Sequence, residues 1–496
     1  MWADIAAGFA LFATWQSVAL FALGIAVGIV IGAIPGLSVT LAVSLALPLT
    51  FGMEPALAII FLAGIYKGGT YGGSITAILI RTPGTPAAAC TVLDGYPLAR
   101  RGEGAKALDA ALYASAVADF CSNLALIFLA GVIVLFARQF GPAEYFWLVC
   151  FALTTVAAVS GDSLAKGFVA VGLGLLLSTV GRDLFFGSDR LMFGQSALAG
   201  GVALIPLLIG LFAVAEVISH YASKPRAEER FEGRGRGLSW PEFRRLLPTI
   251  LRGSAIGVAV GAIPGTGGGI ASFLSYGEAK RVSKSPETFG RGNIEGVAAA
   301  EAGNNGVAGA TLIPLLALGV PGDVVTAIML GAFTIHDIAP GPGLFERHGD
   351  IVYAIFFGLA LSPIWLLGFG KLAARGFTRI SRIDPDLLMP GVLLFCVLGS
   401  YSVSNSMFDV GLMAVAGLAG FAMLRLDIPP APLVIAFVLG PLLEDNFRRS
   451  VRIGRGRAGY FFDDPMSWAF IALTALSILA IVRQRRAAAR RRQGGG

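Results

Sequence analysis

Residues 5–53 contain no Asp, Glu, Lys or Arg. One crossing of a bilayer's hydrocarbon core takes roughly 20 apolar residues, and backbone inside lipid must satisfy its own hydrogen bonds, which helices do. Further uncharged runs follow at 120–137, 145–161, 191–215, 253–277, 302–322, 351–370, 387–408 and 465–482. Charged residues make up 14% of the 496, against about 25% in soluble domains. The hydrophobic fraction is 55% and the mean hydropathy +0.75. A soluble domain has no polar exterior to build from such material, and disorder is excluded for the same reason. The chain reads as an all-α polytopic membrane protein with roughly 11–14 membrane segments, some half-length.

The N-terminus, MWADIAAG, lacks a basic region and a cleavage site, so a retained first helix is expected. The four cysteines, Cys90, Cys121, Cys150 and Cys396, have no metal-ligand spacing and read as small packing residues. A net charge of +7 raises the question of nucleic acid, but the basic residues lie in loops and the tail: 224–245, 280–291, 448–457 and 483–492. Cytoplasmic loops carry excess Lys and Arg, so these belong inside and no nucleic-acid partner is expected. Nothing basic precedes Lys67, which puts the N-terminus outside and the C-terminus inside.

The chain repeats itself. GIAVGIVIGAIPG (24–36) and GSAIGVAVGAIPG (253–265) share eight of 13 positions at an offset of 229. A weaker echo pairs LIRTPGT (79–85) with ALGVPGD (317–323) at an offset of 238. The expected organisation is a first transmembrane repeat over 1–219, a charged cytoplasmic linker over 220–245, a second repeat over 246–482 and a basic cytoplasmic tail over 483–496. Linker charge places the second repeat's start inside and the uncharged N-terminus places the first's outside, so the repeats are expected to be inverted, an arrangement that holds a substrate between halves.

The breaks matter most. Glycine ladders, Gly24/Gly28/Gly32 and Gly253/Gly257/Gly261, lie on one helix face and read as close helix packing. Each ladder leads into a Pro-Gly pair, and two more follow: Pro35-Gly36, Pro83-Gly84, Pro264-Gly265 and Pro321-Gly322. Proline removes an N–H and glycine admits unusual dihedrals, so the helix stops. Its free amides suit a carboxylate and its free carbonyls a small cation. Candidate substrate-binding residues are therefore Pro35, Gly36, Lys67, Tyr71, Gly72, Gly73, Ser74, Pro83, Gly84, Thr85, Pro264, Gly265, Thr266, Gly267, Pro321 and Gly322. Asn304, Asn305 and Asp323 are the candidate cation ligands, being oxygen donors near an apolar run. A coupling Na⁺ or H⁺ is expected, and no other cofactor.

The stretches GAIPGLSVTLAVSLALPLTF (32–51), YGGSITAILIRTPGTPAAACTVLDGYPLARRG (71–102), 264–323 and PGP (340–342) resemble the large membrane subunit of the tripartite tricarboxylate transporters. The resemblance implies cation-driven symport of small carboxylates, of di- or tricarboxylate type, across a bacterial inner membrane. It also implies a small membrane partner subunit and a periplasmic substrate-binding protein. The family's YGGS maps onto Tyr71, Gly72, Gly73 and Ser74, its PGTP onto Pro83 to Pro86, and its E-x-x-N-N onto Glu301, Asn304 and Asn305. Two positions depart from the pattern. Asp323 stands where a small serine-like residue is expected, and Lys67 where a small or neutral one is. At the 238 offset Lys67 corresponds to Asn305. The expectation is that Lys67 pairs with Asp323 or meets the substrate carboxylate, against the plainer reading that it reaches an interface. No enzyme is expected. The rivals are a membrane-embedded hydrolase using Asp162 and Asp323, and a passive channel.

Overall fold

The fold comes from a computed structural model, which describes residues 2–159, 163–183, 185–222, 235–380 and 385–493. Among them the protein is almost entirely helical, with one two-residue antiparallel pairing, Gly181–Arg182 with Asp189–Arg190. Seven helices are long and apolar enough to cross a membrane, and six shorter apolar helices accompany them. Large apolar side chains stand exposed on these helices, Phe128 at 69% and Val415 at 65% among them. Such a surface is stable only against hydrocarbon, and the polytopic membrane fold is confirmed. The sequence division at the linker concerns repeats; Cα packing groups the chain differently, into two compact units.

The first unit comprises 1–134, 205–263 and 267–421. Its helices are α1 (Trp2–Phe12), α2 (Trp15–Gly32), α3 (Val39–Ala46), α4 (Pro55–Ile80), α5 (Ala89–Arg100) and α6 (Gly104–Ala137), the last running into the second unit. The second unit comprises 135–204, 264–266 and 422–496, and holds α7 (Pro142–Val159) and α8 (Leu164–Ser178). Back in the first unit come α9 (Leu204–Leu208) and α10 (Ala215–Ala222), joined by a π-helical stretch over Ile209–Val214. Then follow α11 (Trp240–Gly261), α12 (Gly267–Val282), α13 (Ile294–Ala310), α14 (Leu312–Leu318), α15 (Val324–Ile335), α16 (Leu344–Arg347), α17 (Gly349–Ile380), α18 (Pro385–Ser404) and α19 (Met407–Arg425). The second unit closes the chain with α20 (Pro430–Ile453) and α21 (Pro465–Gln493). Linker residues 223–234 lie outside the described residues, as does Asp162; the linker's end carries Ser239, which caps α11 with Glu242 in a reciprocal box.

Each of these four Pro-Gly pairs interrupts helix, whereas Pro390-Gly391 lies within α18. α2 ends at Gly32 before Pro35-Gly36, α4 at Ile80 before Pro83-Gly84, α11 at Gly261 before Pro264-Gly265, and α14 at Leu318 before Pro321-Gly322. Gly36 and Gly265 take φ of 82° and 80°, a left-handed conformation that costs a side chain dearly.

The glycine ladders set the packing. A Cβ on Gly28 would stand 2.3 Å from the Ile65 carbonyl oxygen, and one on Gly257 2.6 Å from that of Gly303. Gly24 likewise meets Phe61 and Gly32 meets Gly69, while Gly253 meets Ala299 and Gly261 meets Val307. The three carbonyls met by α2 (61, 65, 69) and the three met by α11 (299, 303, 307) differ by 238 throughout, the offset of the sequence echo. The α2–α4 and α11–α13 pairs are thus one structural motif built twice, with identical contact register. Only glycine lets two backbones come this close.

Candidate functional site

Helix α4 is the hub of the first unit: nearly all its 26 residues are buried, although it carries Tyr66, Lys67, Thr70, Tyr71, Ser74 and Thr76. Three of the four breaks adjoin its middle. Tyr66 Oη donates 2.6 Å to Asp323 Oδ2, directly after Pro321-Gly322, and lies 3.3 Å from Thr311 Oγ1. A Cβ on Gly322 would stand 2.6 Å from the Thr311 carbonyl oxygen. Gly69 abuts Val39, the first residue of the helix after Pro35-Gly36. Gly73 takes the amide of Gly84 on its carbonyl at 3.4 Å, with Gly84 packed between Gly73 and Gly32. Residues 66 to 73 are two helical turns, about 10 Å. Gly72 faces α2, its Cβ position 2.5 Å from the Ile29 carbonyl oxygen.

The remaining candidates gather beside this stretch, with one exception. Asn304 Nδ2 reaches the Thr70 carbonyl at 3.4 Å, and its Oδ1 lies 2.8 Å from where a Gly268 Cβ would be, next to Gly267 at the start of α12. That Gly268 position is also 3.3 Å from Ala87, just after Pro83, Gly84 and Thr85; Thr85 caps the following turn through the Ala88 amide at 3.2 Å. The exception is Pro264-Gly265-Thr266, which is grouped with the second unit, where Gly265 backs onto Val156. Ser74 and Tyr71 are fully buried, and among the described residues neither hydroxyl has a partner within good hydrogen-bond geometry.

The expected Lys67–Asp323 pair does not form. Lys67 Nζ donates to Asp119 Oδ1 at 2.5 Å and to Asn123 Oδ1 at 2.7 Å, both on α6. Asn123 Nδ2 in turn reaches the Leu359 carbonyl at 2.7 Å and Ser362 Oγ at 3.0 Å on α17, and Ser362 donates to Asp119. Nor does Lys67 reach an interface, being 2% exposed. The reason is geometric: Asp323 is spent as the N-cap of α15, accepting from the Thr326 amide at 2.8 Å, and its other oxygen is held by Tyr66. Asp119 was hidden from sequence reasoning because it borders an uncharged run and resembles a helix-end residue there.

A second buried group surrounds Glu301, 0% exposed. Thr91 donates to Oε1; Ser115 Oγ and Asn305 Nδ2 approach Oε2 at 3.3 Å each; Asn305 also donates to Ser115 at 2.7 Å. Thr91, Ser115, Asp119 and Asn123 were not singled out by sequence. The signal available was the spacing Ser115, Asp119, Ser122, Asn123, one polar stripe at helical period along apolar α6.

A sequence model of the tripartite tricarboxylate transporter TctA family matches residues 18–435. An uncharacterised 52.8 kDa protein of the TAR-I ttuC' 3' region of Agrobacterium vitis is 36% identical over 444 residues, 88% of each chain. An uncharacterised protein of the TAR-II ttuC' 3' region of the same organism is 36% identical over 234 residues, 46% of this chain and 97% of its own length. No solved structure matches the chain. With the family's match running through both glycine-packed helix pairs and all four breaks, this chain belongs to the tripartite tricarboxylate transporter TctA family, a family of transporters rather than enzymes.

Proposed function

We propose that the protein is the large membrane subunit of a secondary transporter that takes up small di- or tricarboxylates across the bacterial inner membrane by cation symport. A periplasmic binding protein delivers the anion and a small membrane subunit completes the assembly. The N-terminus lies in the periplasm and the basic linker and tail in the cytoplasm, in keeping with the excess of Lys and Arg there. The observation that carries the reading is the convergence of three helix interruptions on two turns of α4, Tyr66 to Gly73. Interrupted helices leave amides and carbonyls free, and free main-chain groups at membrane depth serve ligands. A carboxylate and a cation are each expensive to bring there alone and offset one another when bound together, which couples their movement.

The inverted relation of the repeats belongs to the same proposal, and the matched register of α2–α4 and α11–α13 supports the repeats themselves. Uptake into membrane vesicles, with the binding protein supplied outside, tests the reading. Labelled di- and tricarboxylates are offered under Na⁺ and proton gradients imposed separately. Accumulation above equilibrium, dependent on the binding protein and on one gradient, is expected. Equilibration without accumulation identifies a channel, and conversion to a product identifies an enzyme; either outcome overturns the proposal.

A further inference from the structure

We propose that Glu301 is the anionic centre of a Na⁺ site, completed by the hydroxyl oxygens of Thr91, Ser115 and Ser74. This deepens the transport reading and rests on it for its purpose. The argument starts from charge. The buried stripe on α6 serves two clusters, one turn apart. At Asp119 the charge is balanced: Lys67 supplies the cation at 2.5 Å and also donates to Asn123 Oδ1, while Ser362 donates to the other Asp119 oxygen. At Glu301 it is not: the carboxylate is fully buried, its partners are neutral, and among the described residues no basic side chain pairs with it.

The internal repeat sharpens the contrast. The residue at the place of Lys67 in the second helix pair is Asn305, 238 positions on. One arm of the duplicated motif carries an ammonium at this position; the other carries the neutral Asn305 amide, which donates to Glu301 Oε2 at 3.3 Å. A carboxylate held without counter-charge at membrane depth costs several kcal/mol, so the group takes up either a proton or a bound cation. The ligand chemistry is that of a hard cation: one carboxylate and three hydroxyls, all oxygen. Ser74 is the independent sign of a missing ligand. Its hydroxyl is fully buried beside the Glu301 carboxyl, and among the described residues it finds no partner within good hydrogen-bond geometry. A buried polar atom left so is destabilising unless a ligand completes it.

The test reads binding alone. Thermal unfolding of the purified full-length chain in detergent is followed against NaCl, with choline chloride holding ionic strength constant. A Na⁺-specific rise in Tm is expected. Glu301→Gln abolishes the rise; Thr91→Ala, Ser115→Ala and Ser74→Ala each raise its midpoint concentration by about tenfold, the effect of losing one ligand oxygen worth about 1.4 kcal/mol. Absence of a Na⁺-specific rise in the unmodified chain overturns the site, as does a rise unchanged in Glu301→Gln. Should Glu301→Gln not fold, Ser74→Ala decides, since it removes a single hydroxyl and leaves the carboxylate in place: an unaltered midpoint overturns the proposal. The readout needs neither carboxylate nor gradient. Uptake that survives while the Na⁺ response is missing sinks the site and spares the transport reading; a Na⁺ response in a protein that accumulates nothing does the reverse.

Discussion

Lys67 shows how far a single side chain can be placed from its neighbours in sequence. Its departure from the family pattern marked it as unusual, and its depth followed from the apolar run around it. Its partner did not follow, because the choice between Asp119 and Asp323 depends on which helix faces α4 at that turn. The pair predicts an asymmetric result. Lys67→Met leaves Asp119 buried and unpaired and costs about 3–5 kcal/mol of stability, whereas Lys67→Met with Asp119→Asn removes both charges and recovers most of it. Thermal unfolding of the three proteins in one detergent measures this, and equal losses in the single and double variants would contradict it.

Helix pairs obey a simpler rule. The glycine ladders were legible as packing surfaces because i, i+4 spacing puts them on one face. The structure adds the partner of each rung, and that partner repeats at 238. Steric contact of a new side chain with a carbonyl at 2.3 or 2.6 Å has no soft way out, since backbone on both sides would have to move. Gly28→Leu and Gly257→Leu are therefore expected to destabilise by comparable amounts, at least the ~1–3 kcal/mol of an overpacked core. Gly131→Leu is the control: it sits on α6 with nothing within 4 Å of its Cβ position and should leave Tm nearly unchanged. A variant at Gly28 as stable as that control would break the packing argument.

At the scale of the molecule, two compact units divide the chain in an order that crosses the repeats, returning twice to the second unit. That unit is held partly by an ion-pair network around the buried Asp183 carboxylate. Arg448 donates to Asp183 at 2.7 and 3.1 Å and pairs with Glu444, and the Phe185 and Phe186 amides also donate to Asp183. The Arg448 hydrogen bonds, followed by those amides, hold the Asp183 carboxyl well below its ordinary range. A lowered value means stabilisation that is present above the unfolded carboxyl's value, about 3.9, and is lost as pH falls below it toward the lowered one. Limited proteolysis of the segment 181–203 should therefore begin only in acid for the unmodified protein. In Arg448→Met it should begin already at pH 7, with the difference between the two narrowing as pH falls. A segment equally resistant in both at pH 7 would show that the network holds nothing together.

Hydropathy, proline and glycine are local properties, so the linear chain alone dictates that helices span lipid, where they stop, and that two of its pieces are copies. Partner choice is another matter. Whether Asp119 or Asp323 neutralises Lys67, that Glu301 is left with neutral neighbours, and that three interruptions meet on one helix are long-range facts. They arise from which faces are pressed together once the backbones close on their glycines, and no window of neighbouring residues encodes that.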